Sequence, residues 1–143
     1  MTSSAIWSYG STLQLGDGET SETFTTIAEV KDINGPSFSK DSIDVTSLDS
    51  SSGFKEYIAG WKDAGEVTFD VNWLPSNATH DETTGLLESF TDNDNHNFKM
   101  IFPSATFTID FTGHISGFNG SLPMAEQANA SITIKISGLP TFS

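Results

Sequence analysis

Apolar and polar residues alternate with a period of two along three stretches of this chain. Between Glu66 and Trp73, Val67, Phe69, Val71 and Trp73 fall on one side, and Glu66, Thr68, Asp70 and Asn72 on the other. Thr106–Phe111 repeats the pattern, and Ala130–Ile136 shows it most cleanly. A strand points successive side chains to opposite faces, so each stretch predicts a strand with one apolar and one wet face. The shared parity predicts a core of Val67, Phe69, Val71, Phe107, Ile109, Phe111, Ile132, Ile134 and Ile136. Less regular patterns predict strands at Ser11–Leu15, Thr23–Val30, Ser37–Val45 and Phe98–Phe102. Gly and Pro punctuate between them, as in Asn34-Gly35-Pro36 and Leu122-Pro123.

One segment carries helical spacing. Asp81–Phe90 follows a candidate cap at Thr79 or Asn77, opens with acidic residues that suit a helix amino terminus, and places Leu86, Leu87 and Phe90 on one stripe. It is expected to lie against a sheet. Residues 40–65 have a different character. Ser47–Gly53 is close to low complexity, which predicts a long, mobile loop. Phe54, Tyr57, Ile58 and Trp61 follow directly. Large apolar groups are costly in a solvated loop, so a partner surface is expected to cover them.

At 143 residues the chain is expected to be a single domain spanning 1–143. The 19 acidic residues outnumber the 6 basic ones, giving a net charge of −13. All six basic residues are lysines, and they are scattered. Phosphate recognition draws on Arg forks or clustered Lys, so stable nucleic-acid binding is not expected. There is no Cys, hence no disulfide, which fits folding in a reducing cytoplasm. No apolar run reaches the roughly 18 residues of a membrane span. The start, Met1–Trp7, has no basic segment leading into an apolar one, so no secretory signal is expected.

Candidate chemistry is sparse. His80, His96 and His114 fall on three different predicted elements, and no metal site is expected from them. Asp92–Asn97 hints at a calcium loop, but the sixth position is Asn97 instead of Gly and the twelfth is Pro103 instead of Glu. Nucleophile elbows, phosphate loops and dinucleotide fingerprints are missing, and no pair of carboxylates stands out from the rest. The reading is a protein without catalytic residues, cofactor or metal, and not an enzyme. Trp7 and Trp61 leave a sugar-stacking surface open, and with it the alternative of a carbohydrate-binding or adhesive β-sandwich module.

The order of the segments carries a resemblance. Ile27–Pro36 precedes Asp41–Asp49, then Lys55–Val67, then Phe111–Phe118 and finally Ile132–Gly138. Ile43-Asp44-Val45-Thr46, the serine-rich loop, Tyr57-Ile58-Ala59-Gly60 running to Asp63-Ala64-Gly65, and Ile134-Lys135-Ile136-Ser137-Gly138 resemble the recurring elements of siphophage major tail tube proteins. The similarity covers roughly residues 10–140. It implies a mainly β fold of two packed antiparallel sheets, a sandwich or flattened barrel, with one flanking α-helix. It implies a structural virion protein whose homo-hexameric rings stack into a tube, with the tape-measure protein inside during assembly and the tail tip and tail terminator at the ends. Double-stranded DNA would pass through without stable binding, and the subunit would not insert into a membrane. The expected location is the phage tail, after assembly in the bacterial host cytoplasm. The family's common immunoglobulin-like C-terminal domain is expected to be missing, because the sequence ends shortly after Pro140. A tube subunit of a contractile injection or type VI-like secretion system is the related alternative.

Two sets of residues acquire expected roles. Residues 40–65 become an assembly loop, with Phe54, Tyr57, Ile58 and Trp61 as contacts between rings. Glu66, Asp70 and Asp110 become candidate acidic residues of the channel wall, where carboxylates repel phosphates within a screening length of about 8 Å.

Overall fold

A computed structural model describes residues 3–143, so Met1 and Thr2 of the amino-terminal stretch lie outside the described residues. Among the described residues, ten strands and one α-helix follow in the order β1 (Thr12–Gly16), β2 (Phe24–Thr26), β3 (Val30–Asn34), β4 (Ser39–Asp44), β5 (Tyr57–Asp63), β6 (Glu66–Asn72), α1 (Leu86–Thr91), β7 (His96–Ile101), β8 (Thr108–Ser121), β9 (Asn129–Ile136) and β10 (Thr141–Phe142). They form two antiparallel sheets. Seven strands of the larger sheet run in the order β2-β1-β7-β8-β9-β6-β3, and β10 pairs with β8. β4 and β5 form the second sheet.

The topology forces the larger sheet to curl. β2 and β3 stand at opposite ends of the seven-strand path. Laid flat, six inter-strand gaps of about 4.8 Å would separate them by roughly 29 Å. Yet only residues 27–29 join Thr26 to Val30, a stretch that reaches at most about 14 Å. The sheet therefore rolls into a flattened barrel, and Ile27 in that short connection is buried inside it.

The inward parity read from the sequence holds. Val67, Phe69, Val71, Ile109, Phe111, Ile132, Ile134 and Ile136 are all buried. β6 and β9 pair in register from Glu66↔Lys135 to Asn72↔Asn129, which sets Phe69 against Ile132 and Val67 against Ile134. Leu13, Leu15, Phe98 and Met100 complete the core from β1 and β7. Phe107 is only half-buried: it lies just before β8 and packs against Phe102 and Phe142 at the barrel rim.

Several boundaries differ from expectation. The single strand expected at Thr23–Val30 is two, β2 and β3, separated by the closing connection. The helix starts at Leu86 instead of Asp81, with Gly85 at its cap. The Asp81 carboxylate instead accepts the backbone N–H groups of Thr83 and Thr84, closing a turn before the helix. Leu86 and Ser89 are the buried positions of α1, while Phe90 faces solvent. Residues 40–65 are not a structureless loop: β4 and β5 pair through Ser39↔Asp63 to Asp44↔Tyr57. Their tip was legible only as low complexity because its order comes from side-chain bonds. Ser50 Oγ donates to Glu56 Oε2 at 2.7 Å, Ser47 N donates to Ser50 Oγ, and Glu56 N donates to Thr46 Oγ1.

Candidate assembly surfaces

The β4–β5 arm is a continuation of the β3–β6 pair beyond the barrel. β3 pairs with β6 up to Asn34↔Thr68, and β4 with β5 from Ser39↔Asp63 outward. Between the two pairs the backbones cross closely. A Cβ on Gly35 (φ +103°) would lie 2.3 Å from Glu66 O, and one on Gly65 (φ +76°) 2.3 Å from Ser37 O. Both positions need a residue without Cβ and tolerant of positive φ, so glycine on each strand builds the crossing. Below it, Asp63 anchors the arm. Its Oδ1 accepts Gly65 N at 2.8 Å and lies 3.3 Å from Lys135 Nζ on β9. The Gly65 N–H, helped by the lysine charge, holds the Asp63 carboxyl below its ordinary value of 3.8.

Every residue of β4 and nearly all of β5 are exposed. A two-stranded ribbon is marginal in water by itself, and this one carries apolar groups on both faces. Ile43 stands directly opposite Ile58, so they share a face. Tyr57 lies on the other. Trp61 stands where the register between the two strands shifts, and it is 85% exposed. Phe54 sits at the tip, 74% exposed. All four expected inter-ring residues, Phe54, Tyr57, Ile58 and Trp61, thus lie on the arm, exposed among the described residues. At the arm's base a groove of about 760 Å³ runs between Phe38, Trp61, Ala64, Leu139 and Phe142. Sequence reading missed β5 because Tyr57–Trp61 does not alternate. The aromatic and β-branched enrichment there was the available signal.

The three candidate wall carboxylates stand apart from one another on the subunit. Glu66, Asp70 and Asp110 all occupy outward positions of the barrel strands. Glu66 stands opposite Lys135, and Asp110 opposite Lys99. Lys99 Nζ also lies 4.4 Å from the centre of the Phe24 ring. Asp70 alone faces a like charge, Asp32 on β3. Across β9 its row leads from Ser131 to Asn119 on β8, nine residues from Asp110. The three carboxylates do not form one patch on a subunit.

The histidines separate into three environments. His80 is fully buried; its Nδ1 accepts Leu74 N at 3.1 Å, and its Nε2 lies 2.7 Å from Ala28 O, which assigns the proton to Nε2. It ties the 74–80 turn to the connection that closes the barrel. His114 is exposed on β8. No metal site is expected from three histidines on three different elements, yet His96 has other ligand-type residues beside it. The end of α1 brings Glu88 and Asp92 beside it, with one donor atom from each of the three within 4.8 Å of the others.

Comparison with known proteins adds the following. The family model described as "Lambda phage tail tube protein, TTP" matches residues 7–143. No curated protein sequence matches the chain. Among solved structures, the tail of an empty GTA particle, solved by helical refinement in C6 symmetry, superposes with a TM-score of 0.72 at 23% identity, covering 92% of this chain and 95% of that one. The sheath/tube terminator of the extracellular contractile injection system PVC, in its extended state, gives 0.73 at 14% identity, covering 100% and 99%. The SPP1 tail tube gives 0.67 at 8% identity, covering 96% and 78%. At these identities the structural matches establish a shared fold.

Proposed function

The chain belongs to the lambda phage tail tube protein family, and from that premise we propose that it polymerises as stacked six-membered rings that form the conduit for DNA in a non-contractile phage tail. The reading is structural, with no catalytic step. Its partners are further copies of itself, the tape-measure protein that the tube encloses during assembly, and the tail tip and terminator that bound it. Subunits collect in the host cytoplasm and end in the virion. The sixfold symmetry of the GTA tail supports the ring number. The likeness to the injection-system component lies in the fold, while the family match over nearly the whole chain favours the phage tail.

The observation that carries the proposal is the arm. It leaves the barrel through a two-glycine crossing and exposes apolar residues on both faces, uncovered by the described residues of its own chain. A ribbon uncovered on both sides suits a site between two neighbours, one on each face, and symmetry closes such heterologous contacts into rings and stacks. Paired variants test this. Wild-type protein at rising concentration should give rings or tubes by electron microscopy. Tyr57→Ser with Trp61→Ser should melt like wild type and remain monomeric, because these side chains pack on no core. Tubes of normal length from the double variant would remove the arm from the assembly interface, and rings of another order would replace the sixfold reading.

A further inference from the structure

Glu88, Asp92 and His96 recur at intervals of four, from the short helix α1, through its C-cap, to the first residue of β7. Asp92 Oδ1 is occupied by the N–H of Asp94 at 3.0 Å, which turns Oδ2 toward His96. The Nε2 of His96 has no hydrogen-bond partner among the described residues and is shielded from solvent, although it lies only 3.6 Å from Asp92 Oδ2. That separation is too long for a hydrogen bond. It is close to the ligand–ligand edge, about 3.4 Å, of a tetrahedral ion bound at about 2.1 Å.

The electrostatics point the same way. The carboxyl end of a helix carries partial negative charge, and carboxylates four apart repel there. Asp92 caps that end of α1 with Glu88 one turn before it, and no basic residue occupies the last turn. A cation would remove this repulsion and satisfy the orphaned imidazole nitrogen together.

We propose that Glu88, Asp92 and His96 form a three-ligand site for a first-row divalent transition ion, of which Zn²⁺ is the representative. The imidazole sets the class. Ca²⁺ and Mg²⁺ take oxygen ligands, whereas one nitrogen and two carboxylate oxygens suit Zn²⁺ and its neighbours. The fourth position stays open to water or to a donor from an adjoining subunit. The ion joins the end of α1 to the start of β7 and so pins the helix on the barrel.

Titration of the full-length chain with ZnCl₂, followed by calorimetry and by imidazole NMR, tests the proposal. One ion should bind per chain and move the His96 ring resonances, leaving those of buried His80 and exposed His114 in place. His96→Gln and Asp92→Asn should each weaken binding about tenfold or more, whereas His114→Gln should leave it unchanged. The melting temperature should rise with Zn²⁺ in the wild type, fall back with EDTA, and stay unaffected by Mg²⁺. Equal Zn²⁺ affinity in wild type and His96→Gln, or unshifted His96 resonances at millimolar Zn²⁺, would overturn it.

Discussion

His80 shows how one side chain can hold a fold together from outside any regular element. It is fully buried, and each ring nitrogen meets a backbone group, Leu74 N–H on one side and Ala28 O on the other. Thr79 adds a parallel bond, its Oγ1 accepting Ala28 N at 3.1 Å. Residues 74–80 are thereby fastened to the three-residue connection whose shortness rolls the sheet. Replacing His80 with Ala would leave the Leu74 amide and the Ala28 carbonyl without partners and open a void at the seam. The expected cost is about 2–4 kcal/mol, measured by denaturant unfolding. A loss below about 1 kcal/mol would mean that water or a neighbouring group replaces the ring. In the sequence, His80 is one polar residue among Asn, Thr and Asp, and no periodicity marks it as buried.

At the scale of elements, the arm is held at its base by Asp63. Its folded-state value lies below the ordinary 3.8, so the contribution of this anchor is complete above that value and is lost as pH falls through the lower folded one. Hydrogen exchange at the Gly65 amide reads it. Wild-type protection should be intact at neutral pH and fall once the pH drops well below 3.8, while Asp63→Ala should show low protection throughout. Protection equal in both proteins at neutral pH would place the anchor in the glycine crossing instead. The barrel strands should keep their protection in either case, because their pairing does not run through Asp63. The helix makes a related point. The sequence spacing predicts a helix over Asp81–Phe90, but the Asp81 side chain competes for backbone N–H groups and delays the helix to Leu86.

At the scale of the whole molecule, charge and curvature set what the tube can do. A net charge of −13 spread over a rolled sheet makes an acidic particle, yet two of the three outward carboxylates singled out face lysines across their strands. Under the proposed function, the wall's reluctance to hold DNA depends on those pairs remaining acidic or neutral. Tubes carrying both Asp70→Lys and Asp110→Lys would gain one new cation opposite Lys99 and another opposite Asp32, and with them phosphate contacts. They should assemble and release DNA more slowly than wild type at low salt, with the gap closing as salt rises. Equal release rates at low salt would place both residues on the outside of the tube.

The sequence by itself determined the strands whose alternation is strict, together with their buried faces. A period of two can be satisfied in only one way once one face is apolar, and Val67–Val71 and Ile132–Ile136 obey it without exception. The ordered segments also carried the family, which no single residue would have done. Tertiary structure decided what depends on groups distant along the chain. β3 and β5 lack alternation and exist because β6 and β4 supply their partners. The arm is a ribbon and not a loop because Glu56 gathers Thr46 and Ser50 around its tip. His96 meets Glu88 and Asp92 only because α1 ends where β7 begins. The acidic residues proved dispersed because spacing along a strand says nothing about which charge stands on the next strand. Local pattern encodes faces; partners across strands come from closure of the barrel, and closure is a property of the whole chain.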